Sequence, residues 1–345
     1  MTETKCTLNE DFLEQMSKSS VIWLSATQVA EMLTYEACVR VLEYAMPQVS
    51  QGEAVMPFRT SMAIPGKGLF GMMPGALTAD PGVFGIKLLS LYPDNAANNL
   101  PSHLGLFVLF SIDTGLPLAI MSGSVLTAIR TGGASALASK YLARTDAKIL
   151  TIIGTGEQAQ SHIAALTLVR DIKEIRIWGR NRHHAERLAS LYADDIHRKV
   201  IVADKIKTAI KDSHIICTVT AATDPLLYGE WLEPGMHLNV VGSGYPHKAE
   251  VDSDCIRRAR VYIDYEASAL AQAGDLIRAF EAGTIAADHI ICEIGSLILN
   301  SKLGRLSDDD ITLYKSVGIA AQDLAVARYV FDQANQRGVG TIVGI

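Results

Sequence analysis

Gly154, Thr155, Gly156, Glu157, Gln158 and Ala159 form a Gly-x-Gly-x-x-Ala pattern behind the apolar run KILTII and ahead of a helical pattern. By itself the pattern says little. In a strand, turn and helix order, its glycines permit a tight turn and its helix-start N–H groups can receive a pyrophosphate. A dinucleotide site is therefore preferred to an incidental glycine turn. The next strand-like run ends in Trp178, Gly179, Arg180, Asn181 and Arg182. An acidic residue at that edge would bond the ribose hydroxyls, whereas guanidiniums suit a bidentate grip on a 2′-phosphate. The expected cofactor is NADPH, with NADH as the alternative. The competing reading leaves Arg180 and Arg182 solvated at a helix start, where the helix dipole gives a cation nothing.

Three cations stand in apolar or glycine-rich settings: Arg59 in PFRT, Lys87 in FGIKLLSLY and Arg130 in LTAIRTGGAS. An ammonium flanked by Ile86 and Leu88 is costly to bury unless paired, so Lys87 either faces an anionic ligand in a cleft or points into water. Spacing does not decide between these, nor whether the three cations converge. His103, in LPSH, reads equally as a ligand contact and as a packed strand-end residue. His183 and His184 begin a polar helix and read as solvent-facing.

These residues need elements to hold them. From Lys148 onward, KILTIIG, EIRIWG, KVIVAD, SHIICTVT, MHLNVVGSG and ARVYIDY alternate with helical patterns, which predicts a doubly wound sheet of buried parallel strands. Between Pro57 and Ile120 the runs SMAIPG, GLFGMMPG, FGIKLLSLY, LGLFVLFSI and PLAIMSG predict a mostly antiparallel sheet, with a hairpin at Asp113, Thr114 and Gly115. Periodicity predicts helices over Tyr35–Gln51, Asp275–Ala282, Ile290–Leu299 and Ser316–Arg337. At 345 residues and roughly 150 per domain, the chain reads as two lobes.

Composition narrows the function. Hydrophobic residues make up 49% and charged residues 20%, enough apolar surface for packed cores. A net charge of -6 and a pI near 5.9 leave no basic field for nucleic acid. Cys6, Cys38, Cys217, Cys255 and Cys292 are widely spaced with no CxxC pair, so no metal site is expected and a reducing compartment is implied. The polar, acidic start MTETKCTLNEDFLEQ lacks a secretory pattern, and no run approaches a membrane helix. The expectation is a cytoplasmic protein that engages neither membrane nor nucleic acid.

Through PFRT, GMMPG, GIKLLSLY, LPSH, IRTGGASALASKYLA, IIGTGEQA, NVVGSG, EIGSLI, KSVGIAAQDLA and YVFDQANQRGVGT, the chain resembles the ornithine cyclodeaminase and mu-crystallin family over nearly its full length. That family includes cyclodeaminases, ketimine and pyrroline-2-carboxylate reductases and an alanine dehydrogenase. The resemblance implies a homodimer of α/β chains, each a Rossmann doubly wound sheet (131–317) inserted into a second, α+β domain (1–130 plus 318–345) for substrate binding and dimerisation. It implies that Arg59, Lys87 and Arg130 are catalytic and hold the substrate carboxylate, with Val317 and Gly318 beside them. Ser102, Glu157, Gln158, Arg180, Thr220, Val241, Lys248 and Ser316 match dinucleotide contacts. Arg130, Thr131, Ala221, Gly242, Ser243 and His103 complete the expected cofactor set.

The family's cyclodeaminases carry an aspartate where this chain has Gly244, in Gly242-Ser243-Gly244-Tyr245-Pro246-His247-Lys248. A residue without a side chain moves no protons. The expected reaction is therefore NADPH-dependent reduction of a small cyclic imino acid, such as Δ1-pyrroline-2-carboxylate or its six-membered analogue. A cyclodeaminase, an alanine-type dehydrogenase and a non-catalytic crystallin-like binder of NADPH are the alternatives.

Overall fold

The structure, a computed structural model, describes residues 19–98, 100–101 and 103–345, so Cys6 and Ser102 lie outside the described residues. Within these residues, two eight-stranded sheets organise the chain. The first contains β1 (Ser20–Leu24), β2 (Ala54–Val55), β3 (Thr60–Ile64), β4 (Gly68–Leu77), β5 (Val83–Leu91), β6 (His103–Ser111) and β7 (Pro117–Ser122). The second holds β8 (Ile149–Ile153), β9 (Glu174–Trp178), β10 (Lys199–Val202), β11 (Ile215–Thr218), β12 (His237–Val240), β13 (Arg260–Ile263), β14 (Ile290–Glu293) and β15 (Thr312–Lys315). The final strand, β16 (Thr341–Gly344), returns to the first sheet and pairs antiparallel with β1.

In the first sheet β3 to β7 are joined by antiparallel ladders, as their alternating, turn-separated runs predict. The expected hairpin forms between β6 and β7, with Gly115 in the left-handed region at φ 70°. The helices Tyr35–Ser50, Gly123–Leu142 and Ala320–Arg337 bury their apolar sides against one another and this sheet. Gly123–Leu142 also packs on the helix Glu157–Val169 that follows β8. The boundary expected at residue 130 thus falls inside one continuous helix.

The second sheet is parallel throughout, in the order β10-β9-β8-β11-β12-β15-β13-β14. Its direction of winding reverses between β8 and β11, and ligands bind at the carboxyl ends of strands at such a point. Gly154 and Val219 stand at that point. The expected α/β architecture is present.

Some element assignments need correction. The helix expected over Ile290–Leu299 divides into β14 and a helix over Ile294–Leu299. Ile290, Ile291 and Cys292 make a run too short for periodicity to separate strand from helix. The helix expected from Ser316 starts at Ala320, because Gly318 is left-handed at φ 71°. The six strand expectations after Lys148 omitted β14, β15 and β16, and the first-half reading, which began at Pro57, omitted β1 and β2. No described helix is long and apolar enough to cross a membrane.

Candidate active site

Alternation along β5 puts Val83, Gly85 and Lys87 on its buried side. Lys87 is 2% exposed, which excludes the reading that it points into water. Its Nζ donates to Asp323 Oδ2 at 2.8 Å, and Arg130 Nε donates to Asp323 Oδ1 at 3.0 Å. Arg130 Nη1 also donates to Gln322 Oε1 at 3.1 Å. Asp323 lies in the first turn of the helix Ala320–Arg337, where the helix dipole favours a carboxylate. Burial alone would raise this carboxyl, but Arg130 and Lys87 hold it below the usual range. Burial lowers the Lys87 ammonium to about 8 despite the favourable Asp323 charge. An ammonium offers three donors, and among the described residues only one is used.

Arg59, between β2 and β3, enters the same region. Its Nη2 donates to the carbonyls of Val317 and Gly318, the latter at 2.9 Å, while its buried Nε has no partner among the described residues. Burial and the neighbouring Arg130 lower the Arg59 pKa. Gly318 fits beneath Arg130 only because it lacks a side chain: a Cβ there would stand 2.7 Å from Arg130 Nη1. The three cations therefore converge through Asp323 and the Val317–Gly318 turn. A small cleft beside Arg59 is lined by Met56, Met73, Gln272, Gly318 and Ala320. A Cβ at Gly244 would lie 3.4 Å from Arg59 Nη1, so the missing side chain leaves room beside that guanidinium.

The glycine-rich turn has the form a dinucleotide needs. Gly154 sits at φ 135°, where a Cβ would stand only 2.7 Å from the Val219 carbonyl oxygen. Beyond Gly156 lies open space, and the helix Glu157–Val169 starts without a side-chain cap. Gln158 Oε1 is buried and has no partner among the described residues, while Ala159 packs into the core. Unsatisfied helix-start donors facing open space fit a pyrophosphate. Thr155 lies against Gly179. Arg180 is exposed without an ion-pair partner among the described residues, whereas Arg182 pairs with Glu186 at 2.8 Å and with Asp204. Asn181 caps its helix by accepting from His183 N at 2.9 Å.

The remaining expected contacts divide by their partners. Thr220 gives its N–H and hydroxyl to Glu250, and Gly242 N–H joins them at 2.6 Å. Thr131 donates its hydroxyl to the Thr127 carbonyl at 2.6 Å. Ser243 is fully buried between Lys315 and Asp275, and the Ser316 hydroxyl lies 3.5 Å from Asp264. The hydroxyls of Thr220, Ser243 and Ser316 are thus turned to buried carboxylates and that of Thr131 to a backbone carbonyl. Val241 is half-buried and Ala221 exposed, and Lys248 Nζ lies 5.3 Å from the Tyr245 ring centre. His103 opens β6 on an exposed position, and Ser102 lies outside the described residues.

Sequence reasoning missed Gln322, Asp323, Asp264, Glu250, Asp275 and Lys315. A signal existed for two of them: Gln322 and Asp323 interrupt the otherwise apolar GIAAQDLAVA, and burial of that helix turns them towards Arg130 and Lys87. Among the described residues no group of His, Cys, Asp and Glu could hold a metal.

The model of the ornithine cyclodeaminase/mu-crystallin family matches residues 20–338. A Δ1-pyrroline-2-carboxylate reductase of Bacillus cereus is 34% identical over 92% of this chain and 98% of its own. The solved Δ1-pyrroline-2-carboxylate reductase of Thermococcus litoralis, in complex with NADH and L-proline, superposes with a TM-score of 0.88 at 33% identity, over 93% of this chain and 99% of the other. An archaeal alanine dehydrogenase dimer with bound NAD gives a TM-score of 0.87 at 30% identity, over 94% and 99%.

Proposed function

Because the chain belongs to the ornithine cyclodeaminase/mu-crystallin family, we propose that it is an oxidoreductase that uses NADPH to reduce a small cyclic imino acid of the Δ1-pyrroline-2-carboxylate type. The observation that carries this reading is the convergence of Arg59, Lys87 and Arg130 on the Val317–Gly318 turn and Asp323, with no side chain at Gly244. Three cations against the two buried carboxylates Asp323 and Asp264 still leave net positive charge and unused donors for a substrate carboxylate.

When bound, the nicotinamide supplies a hydride to the imine carbon. Arg59 and Arg130 hold the carboxylate and so fix the imine against that hydride, an orientation effect. Lys87, lowered to about 8 by burial, is protonated at neutral pH and close enough to its pKa to release a proton to the imine nitrogen. A cyclic imine also protonates readily in water, so the reaction tolerates Gly244. Arg180, which lacks an ion-pair partner among the described residues, would meet the 2′-phosphate, and the helix start after Gly156 would hold the pyrophosphate.

A second copy completes the molecule in this reading. The face of the first sheet opposite the helices exposes Trp23, Leu104 and Leu106, with Phe58 and Met62 at one side, and such a patch marks an interface. Residues 1–130 with 318–345 would form the substrate and dimerisation domain around the inserted 131–317. The thiols of Cys38, Cys217, Cys255 and Cys292 are free, which suits a cytoplasmic enzyme.

The deciding assay supplies NADPH with Δ1-pyrroline-2-carboxylate or Δ1-piperideine-2-carboxylate, and in parallel L-ornithine with either oxidised or reduced cofactor. Oxidation of NADPH by a cyclic imine, without ammonia or proline release from ornithine, is the expected result. Robust ammonia release without comparable imine reduction would establish the cyclodeaminase reading, and cofactor binding without turnover of any imine the crystallin-like one.

A further inference from the structure

Asp264 follows β13 directly and is fully buried. Its Oδ2 accepts the N–H groups of Val317 at 2.9 Å and Gly318 at 2.7 Å, with the Ser316 hydroxyl at 3.5 Å, and Oδ1 accepts Tyr265 N–H at 3.0 Å. The Gly318 N–H and the Val317 carbonyl are the two ends of one peptide group. Asp264 holds the nitrogen end and Arg59 Nη2 the oxygen end. An anion on the N–H polarises the peptide and strengthens its carbonyl as an acceptor, so the two contacts reinforce each other. The same turn passes beneath Arg130, where the left-handed Gly318 leaves no space for a side chain.

We propose that Asp264 is a positioning residue that acts through the Val317–Gly318 peptide to aim the Arg59 guanidinium at the substrate carboxylate. The proposal rests on the reading that Arg59 grips that carboxylate. It does not require Asp264 to touch substrate. Misplacing Arg59 weakens a charge-assisted contact without removing the proton donor or the hydride, so the loss should fall on KM more than on kcat.

The experiment is a double-mutant cycle on the full-length enzyme with NADPH and Δ1-pyrroline-2-carboxylate, using Asp264→Asn and Arg59→Ala. Asp264→Asn should raise KM roughly ten- to hundredfold while NADPH binding stays within a few-fold of wild type. With Arg59→Ala already present, Asp264→Asn should change kcat/KM by less than about twofold, because the group it aims is gone. Equal losses in both backgrounds would overturn the proposal while leaving the role of Arg59 intact. Unchanged kcat/KM in Arg59→Ala alone would instead overturn the carboxylate reading, and the proposal with it. Should Asp264→Asn not yield folded protein, Asp264→Ser, which retains a single acceptor, is taken through the same cycle with the same criteria.

Discussion

Among the described residues two lysines are buried, each within 3 Å of an aspartate, and their surroundings differ. Lys315 forms an ion pair with Asp275 at 2.7 Å and donates to the Ser243 carbonyl and hydroxyl at 2.8 and 2.6 Å, so three acceptor atoms surround its ammonium. The other oxygen of Asp275 takes the N–H groups of Glu250 and Val251, and Glu250 in turn accepts from Thr218, Thr220 and Gly242. That cluster is closed. Around Lys87 the carboxylate of Asp323 faces both Lys87 and Arg130, and Arg59, which also feels the Asp264 charge, lies nearby. Gln322 Nε2 and Arg59 Nε are buried without partners among the described residues. Burial and ion pairing are common to both clusters, so neither marks the working site. The surplus of cations and of unused donors does.

The largest expected effect breaks that comparison in activity. Lys87→Met should lower turnover of the cyclic imine about 10²- to 10⁴-fold, the usual range for a lost acid or base. Asp323 keeps Arg130 as a partner in that variant, so the protein should remain folded and bind NADPH. Near-normal turnover would show that Lys87 is as structural as Lys315.

The converse change should appear in stability. Lys315→Met strands the buried Asp275 carboxylate, and removing one partner of a buried pair costs about 3 to 5 kcal/mol. Denaturant unfolding followed with and without NADPH checks this. A variant as stable as wild type would mean that Asp275 is adequately held by Ser243 and the backbone alone.

These contrasts also explain what was legible in the sequence. Lys87 and Arg130 stood out because a cation in an apolar run conflicts with its neighbours, and the Gly154 turn because its glycines are required by backbone geometry. Lys315 lies in the equally apolar β15, but TLYK is too short for a strand pattern, so its burial was invisible. Asp264 and Asp323 are remote in sequence from what they hold: Asp323 is brought to Lys87 only when the helix Ala320–Arg337 packs on β5. Pairings set by tertiary packing leave no local periodicity to read. The missing aspartate at Gly244 was legible only by resemblance, since a glycine in a loop carries no chemistry of its own.

A pH profile sharpens the comparison further. Burial brings the Lys87 ammonium down from the ordinary lysine range to about 8, so it loses its proton as pH rises through that value. If Lys87 donates the proton, turnover should be flat on the acid side and fall roughly tenfold per pH unit on the alkaline side. In Lys87→Arg, whose guanidinium does not titrate in this range, that limb should vanish from whatever activity remains. A limb that persists unchanged in Lys87→Arg would assign it to substrate or cofactor rather than to Lys87.

The smallest effect belongs to the surface, where the same kinds of charge act in water. Arg182 is exposed and pairs with the exposed Glu186 and Asp204, and such pairs are weak and screened by salt. Little therefore opposes its release towards a 2′-phosphate, and among the described residues Arg180 has no ion pair to break. Arg180→Asp should shift the ratio of NADPH to NADH dissociation constants by roughly tenfold towards NADH, because the carboxylate repels phosphate and accepts from ribose hydroxyls. Asp204→Asn, which removes one of the two ion-pair partners of Arg182, should move it a few-fold the other way. Raising the salt concentration should shrink both shifts, in contrast to the buried Lys87 cluster, whose effects should be nearly independent of salt. Tighter binding of NADH than NADPH by the wild-type protein, at any salt concentration, would remove the phosphate from the assignment and leave both arginines solvated, the alternative their sequence allowed.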